Sequence, residues 1–304
     1  MPSPPRSPHT RAALLMLAST VFFALMALTI RMASQSMHTF EIAFFRNFFG
    51  LLALLPLLHR SGKAVLRTQQ LPRYLLRSAI GVVSMLCGFW AIGHLPLAQA
   101  ISLSYSTPLF VTIAAAIFLH EQVRLRRWTA VIIGFIGVLV IVRPGSASFT
   151  LGTLVALSAA VLSGLVAIQI KQLSRVDSAD TIVLYTYLFW VPISLVPALF
   201  VWQWPQGIAW LWAIGAGILG TGGQLLWTRA LKLGDVSALT PISFMQLPIV
   251  AAAGWLLFGE DISHWTLIGA GIIFAANAYI AHREAQLARR AATTAPVEAA
   301  KPGE

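Results

Sequence analysis

Leu14-Leu15-Met16-Leu17, running on to Arg31, lies in order over Leu154-Val155-Ala156-Leu157, running on to Lys171. The offset is 140 residues, and the cation that closes the first stretch falls on the cation that closes the second. At an offset of 139, Phe40-Glu41-Ile42 follows the rhythm of Ala179-Asp180-Thr181, Ala91 falls on Ala230, Ala98 on Ser237 and Glu121 on Glu260. Pro108 and Pro248 miss each other by one residue. One such match arises easily in an apolar chain, but several in the same order at a nearly constant offset mark an internal duplication.

Composition decides the solvent in which the duplicated unit lives. With 58% hydrophobic and 10% charged residues in 304, the chain has more apolar surface than one water-soluble domain can bury, and it reads as a polytopic membrane protein. Ten segments approach the roughly 20 helical residues that cross about 30 Å of hydrocarbon. They are 12–33, 39–58, 74–93, 97–119, 127–143, 150–171, 180–202, 208–229, 236–258 and 265–282. The apolar runs are continuous rather than alternating, which argues for helices and against a barrel. The weakest boundaries are His94-Leu95-Pro96 and Lys232-Leu233-Gly234-Asp235.

The expected architecture is an all-α membrane protein whose ten transmembrane helices form two five-helix repeats. An odd number of crossings inserts the second repeat upside down. Residues 1–11 read as a disordered cytoplasmic N-terminus, 12–143 as the first repeat, 150–282 as the second and 283–304 as a cytoplasmic tail, disordered from Ala291 on. The first segment is too long for the apolar core of a cleaved signal peptide and is expected to be retained. Cys87 stands alone, which excludes an internal disulfide and a cysteine metal cluster.

A net charge of +11 would suggest nucleic acid in a soluble chain, but here position matters more. Of the 21 Lys and Arg, all but Arg31, Arg46 and Arg143 fall on one side of the ten-span layout. The positive-inside rule then places both termini in the cytoplasm of a bacterial-type inner membrane, with the lipid bilayer as partner and no nucleic acid. Inverted repeats recur in secondary transporters, where two halves of opposite orientation exchange conformations and open alternately to each side. A duplicated scaffold that moves no solute is the alternative.

Three stretches of the first copy carry a resemblance: Ala91-Ile92-Gly93-His94-Leu95-Pro96-Leu97-Ala98, Tyr105-Ser106-Thr107-Pro108-Leu109-Phe110, and Phe118-Leu119-His120-Glu121. Their counterparts are Ala230-Leu231 with Ser237-Ala238, Gln246-Leu247-Pro248-Ile249-Val250, and Leu257-Phe258-Gly259-Glu260. Together they resemble the EamA module of the drug/metabolite transporter superfamily over about residues 12–282, with His120 departing from the usual Leu-Gly-Glu. The resemblance implies ten helices, the first four of each half around a central cavity. It also implies transport of a small molecule: export of amino acids and other metabolites, or import of riboflavin or S-adenosylmethionine.

Several residues qualify as substrate contacts. Arg46 stands about 10 Å inside its span, where a charge needs protein, water or a counter-ion; it suits a carboxylate or phosphate, unless it snorkels outward or pairs awkwardly with Glu41. Ser102, Tyr105 and Ser106 share one helix face with Leu109, and Thr240 and Ser243 share another with Phe244 and Leu247; each stripe faces either a cavity or a neighbouring helix. Pro108 and Pro248 each free a carbonyl and mark a gate, a hinge or a passive kink. Trp90, Tyr185, Tyr187, Trp190 and Trp227 lie within spans; Trp90, Tyr185 and Trp227 join the candidate set as stacking surfaces, with packing as the alternative. Gln169, Gln224 and Gln246 offer donors and acceptors to a zwitterion, or bond between helices. Glu121 and Glu260 read as loop-pinning residues at helix ends.

Other chemistries fail on context. Gly215-Ala216-Gly217-Ile218-Leu219-Gly220 fits a dinucleotide-binding pattern but lies inside an apolar span, where its glycines serve helix packing. No P-loop is present, the histidines are scattered, and neither a metal, a cofactor nor an enzymatic activity is expected. The sequence therefore predicts a secondary transporter exporting a small amphipathic or zwitterionic metabolite such as an amino acid, an amino-acid-derived compound or a metallophore. Uptake of a vitamin or cofactor is the runner-up.

Overall fold

The computed structural model describes residues 8–61, 68–119, 125–146, 149–233, 239 and 242–294. The principal elements among them are α1 (Pro8–Ala33), α2 (Thr39–Ser61), α3 (Leu71–His94), α4 (Leu97–Ser104), α5 (Thr107–Phe118), α6 (Leu125–Val142), α7 (Leu151–Leu173), α8 (Ala179–Leu199), α9 (Ala209–Leu233), α10 (Gln246–Phe258) and α11 (His264–Thr294). No strand occurs among the described residues. Eight stretches are long and apolar enough to cross a membrane: α1, α2, α3, the α4–α5 run Leu97–Phe118, α7, α8, α9 and α11. Two apolar helices, Trp128–Val142 and Gln246–Phe258, are shorter. Leu76, Ile117, Ile132, Leu154, Leu256 and Ile268 are all exposed on the outside of the bundle, a surface that lipid covers and water does not tolerate. The chain is a multi-pass membrane protein.

Several boundaries differ from those expected. The segment read as one span over 97–119 is interrupted at Tyr105-Ser106, and the ninth restarts at Gln246 after a turn at Phe244-Met245. Proline explains both breaks. Pro108 and Pro248 have no N–H, and each ring crowds the carbonyl four residues earlier, so the chain tightens beforehand. Leu109 N–H donates to the Ser106 carbonyl and Leu247 N–H to the Phe244 carbonyl, each at 3.0 Å, as three-residue turns. Of the ninth span, residues 234–238 and 240–241 lie outside the described set, Thr240 among them. The first helix starts at Pro8, where a missing N–H is harmless, and the last continues through its Ala- and Arg-rich stretch to Thr294, beyond the start of the expected disordered tail.

Packing sets the first half against the second. α1 lies along α9, α3 along α7, and α2 against both α8 and α9; α3 touches α8, α6 pairs with α11, α5 with α7, α10 with α1, and α4 with α10. Small residues let these helices approach closely, since lipid offers no hydrophobic drive for association and van der Waals contact must hold them. The glycine run on α9 serves this purpose. A Cβ on Gly217 would stand 2.6 Å from Phe49 Cβ and 3.0 Å from the Arg46 carbonyl oxygen, and one on Gly220 would stand 2.7 Å from Met26 Sδ. Gly271 on α11, by contrast, has nothing within 4 Å of an added Cβ.

Gly217→Ala is therefore expected to force α2 and α9 apart and to lower thermal stability in detergent by about 1–3 kcal/mol. Gly271→Ala should leave stability unchanged or raise it by up to about 1 kcal/mol through helix propensity. Melting curves of the two variants beside wild type check the pair.

Candidate substrate site

Arg46 leads the site from the second turn of α2. It is 8% exposed, so its guanidinium lies inside protein rather than snorkelling to an aqueous edge. Glu41 does not pair with it. That carboxylate, 2% exposed, instead accepts backbone N–H groups from His38 at 3.0 Å and from Gln203 at 2.5 Å. Arg46 Nη1 donates to Asn47 Oδ1 at 3.0 Å, and Asn47 Nδ2 donates to Ser194 Oγ at 3.1 Å on α8. The guanidinium carbon stands 5.5 Å from the ring centres of both Tyr187 and Trp190. Tyr187 shares a 3.0 Å hydrogen bond with Thr221 of α9. A Cβ on Gly220 would meet Arg46 Nε and Nη2 at 3.1 Å, so the missing side chain leaves the space in which the guanidinium lies.

This arrangement stabilises the cation without neutralising it. Desolvating an ion costs several kcal/mol, whereas each cation–π contact returns about 2 kcal/mol when dry and one neutral acceptor returns less. No carboxylate lies within 4.0 Å of Arg46 among the described residues. Arg46 Nε and Trp190 Nε1 are both buried with no hydrogen-bond partner. The cluster thus presents one positive charge, two aromatic faces and two unmet donors. Chemically it suits a solute that has acceptor atoms beside a flat or apolar body.

The other sequence candidates fall elsewhere. Ser102 and Ser106 are wholly buried, and their hydroxyls donate at 2.6 Å to the Ala98 and Leu103 carbonyls of their own helix, so they line no cavity. Tyr105 OH donates to the Ser243 carbonyl at 3.1 Å, its ring stacks on Phe244 at 4.2 Å, and its own carbonyl accepts from Asn277 Nδ2 at 2.8 Å. Tyr105 and Ser243 therefore join the two helix breaks that precede Pro108 and Pro248. Trp90 stacks on His94 at 3.9 Å and lines a cleft of about 380 Å³ with Gln99, Thr150 and Gly152. Tyr185 stacks on Tyr74 at 5.0 Å toward the opposite end of the bundle. Gln169 is half-buried with Oε1 unpartnered, and Gln224 and Gln246 are also half-buried. Trp227 is 39% exposed on α9. Asn47, Ser194 and Thr221 escaped the sequence reading. Asn47 carried a signal, an amide adjacent to a charge inside a span, whereas single hydroxyls on apolar helices carry none.

Polar latches close the bundle at both ends. At one end Arg31 Nη2 meets Glu260 Oε1 at 2.7 Å, Leu97 N–H donates to Glu260 Oε2 at 2.7 Å, and Arg31 Nη1 donates to the Ile92 carbonyl at 2.8 Å. Gly259, at φ +62°, ends α10 in the left-handed conformation and turns Glu260 back into this contact. The Glu41 contact with Gln203 N–H lies at the same end. At the other end Asp177 Oδ2 accepts from Thr68 Oγ1 at 2.7 Å and from Tyr74 OH at 2.9 Å.

A bundle of membrane-length helices that keeps a cation and aromatic rings at its centre and latches at both ends defines a multi-pass membrane protein of the transporter class. The chain belongs to the EamA-like transporter family, whose profile matches residues 10–143 and again 150–281. It is 33% identical to a riboflavin transporter of Vibrio cholerae serotype O1, across 92% of this chain and 96% of that one. An S-adenosylmethionine uptake transporter of Rickettsia felis is 31% identical, covering 82% and 84%. A pseudopaline exporter of Pseudomonas aeruginosa is 29% identical, covering 86% and 93%. A solved crystal structure with 19% identity shares the fold at a TM-score of 0.62 over 90% of this chain and 98% of that chain.

Glu260→Ala removes both the partner of Arg31 and the acceptor of the Leu97 amide. Hydrogen exchange across residues 95–99 is expected to speed up by about tenfold for each 1.4 kcal/mol of lost protection, while exchange near Asp177 stays unchanged. Mass-spectrometric exchange on purified protein reads both regions at once.

Proposed function

We propose that this chain is a secondary transporter of the bacterial inner membrane, built as ten crossings in two inverted repeats with both termini cytoplasmic. The contact pattern supports the two-fold relation. Exchanging the halves turns the α1–α9 contact into α7–α3, α2–α9 into α8–α3, and α10–α1 into α5–α7, while α2–α8 and α6–α11 map onto themselves. The latches support it too. An acid at the start of α2 holds the α8–α9 loop, and an acid before α8 holds the α2–α3 loop, at opposite ends. On this reading the Arg31 end is outer and the Asp177 end cytoplasmic, in accord with the positive-inside bias. Opening one set of latches while the other stays closed gives alternating access, with the breaks before Pro108 and Pro248 as hinges.

The solute is a small metabolite with a flat ring and carbonyl acceptors, and riboflavin is the first to test, as uptake. Arg46 carries this reading: its guanidinium lies over the adjoining rings of Tyr187 and Trp190, lacks a carboxylate partner, and shares with Trp190 a pair of unmet donors. A neutral isoalloxazine offers π-faces and carbonyls to that set. The cationic sulfonium of S-adenosylmethionine meets a like charge and no acid, which ranks it lower. The second reading is export of an amino-acid-derived carboxylate, which Arg46 also suits and which the pseudopaline exporter illustrates among relatives.

Counterflow of labelled riboflavin into proteoliposomes, beside S-adenosylmethionine and a panel of amino acids, separates these readings. Riboflavin exchange supports the first, and movement of carboxylate solutes alone supports the second. Arg46→Gln should lower riboflavin counterflow by about tenfold or more, a charge-assisted contact being worth about 1.5–3 kcal/mol, with little change in the amount of folded protein. Undiminished counterflow by a well-folded Arg46→Gln variant overturns the role given to Arg46.

A further inference from the structure

A second guanidinium lies deeper in the bundle, on α3. Arg77 is 4% exposed, and counting it among loop cations, as the sequence suggests, misplaces it. It donates through Nη1 to Thr186 Oγ1, and its Nε is buried with no partner. Asp177 accepts from Thr68 and Tyr74, and no carboxylate lies within 4.0 Å of Arg77 among the described residues. Ser78 follows, wholly buried, with an Oγ that also lacks a partner.

The two arginines are linked through α8. Thr186, which holds Arg77, precedes Tyr187, whose ring faces Arg46. One turn along α3 from Arg77, a Cβ on Gly81 would stand 3.0 Å from Trp190 Nε1, while the Trp190 ring faces Arg46. Trp190 therefore stands between the guanidinium of α2 and the Arg77 face of α3. Arg46 Nε, Trp190 Nε1, Arg77 Nε and Ser78 Oγ, each buried and unmet, belong to this one α2–α8–α3 seam. Each unmet buried donor is destabilising, and one seam holding four such groups is what a removable, acceptor-rich occupant requires.

We infer that Arg77 and Ser78 form a second recognition point that takes the polyhydroxyl tail of the solute whose ring lies at Arg46, Tyr187 and Trp190. The inference rests on the ring-binding reading above and adds to it the determinant that distinguishes a tailed flavin from a bare ring. A guanidinium and a hydroxyl supply donors to a ribityl chain's oxygens, and Gly81 lets the Trp190 ring pack directly on α3 beside them. A purely architectural Arg77, tying α3 to α8, predicts no such discrimination.

The test is a fluorescence-quenching titration of purified full-length protein with riboflavin and with lumiflavin, which keeps the ring but ends in a methyl group. Wild type should bind riboflavin about tenfold or more tightly than lumiflavin. Arg77→Gln should weaken riboflavin about tenfold and Ser78→Ala about threefold, with lumiflavin held within about twofold in both. Equal loss for both flavins, or no loss for either, overturns the inference while leaving the Arg46 site standing. If Arg77→Gln does not yield folded protein, the riboflavin-to-lumiflavin ratio of Ser78→Ala decides alone. Wild type that binds neither flavin overturns the ring-binding reading and this one with it, whereas wild type that binds both equally overturns only the tail site.

Discussion

Hydrocarbon offers no water to hydrogen-bond, so every polar group inside this bundle must find a partner in the protein. That constraint makes each apolar run a helix, and it governs the places where the helices stop. The break at Tyr105-Ser106 and the break at Phe244-Met245 release backbone groups in the middle of the bundle. They are brought together: Tyr105 OH donates to the Ser243 carbonyl, and Asn277 donates to the Tyr105 carbonyl. The first interruption satisfies the second, and α11 satisfies the first. Single acceptors stay unmet elsewhere, on Gln169 and Asn277, but the orphaned donors gather on α2, α3 and α8.

Holding a guanidinium in that seam depends on small residues as much as on polar ones. Gly217 lets α9 close on the backbone at Arg46, and Gly220 leaves the pocket beside Nε. Tyr187 is pressed against Gly50 closely enough that a Cβ there would stand 2.6 Å from its ring, while its hydroxyl is fixed by Thr221. The cation is thus positioned by ring faces locked through packing, with its Nε left unmet. A carboxylate in place of either ring would bind it more tightly and silence it.

Much of this could be read from the chain alone, for physical reasons. Apolar runs near membrane length revealed the helices, and Arg46 announced itself because a charge in a span is expensive. Pro108 and Pro248 pointed to the breaks, since proline's missing N–H is a local property. Burial of Arg77 was not legible: six residues from the start of α3, it sits within the cluster of cations that runs from Arg60, and only the tertiary contact with Thr186 withdraws it from water. Ser102 and Ser106 show a different limit. Their spacing marks a face, but each hydroxyl bonds to its own helix, an option open to serine anywhere in a helix and invisible to periodicity.

The proposed two-fold frame and the polar seam obey different rules. The main helix contacts between the halves pair off under their exchange, whereas α2–α3 and α1–α3 have no counterpart of comparable extent. The seam does not pair off. At the repeat offset Arg46 corresponds to Tyr185 and Arg77 to Ala216, so both guanidinium groups come from the first half and the facing rings from α8 of the second. A ligand bridging them touches both halves at once, through groups that have no symmetric duplicate. The three helices that carry the seam, α2, α3 and α8, touch one another directly, and α3 and α2 are held as firmly by α7 and α9. On the proposed reading, symmetry belongs to the frame that moves and asymmetry to the seam that recognises.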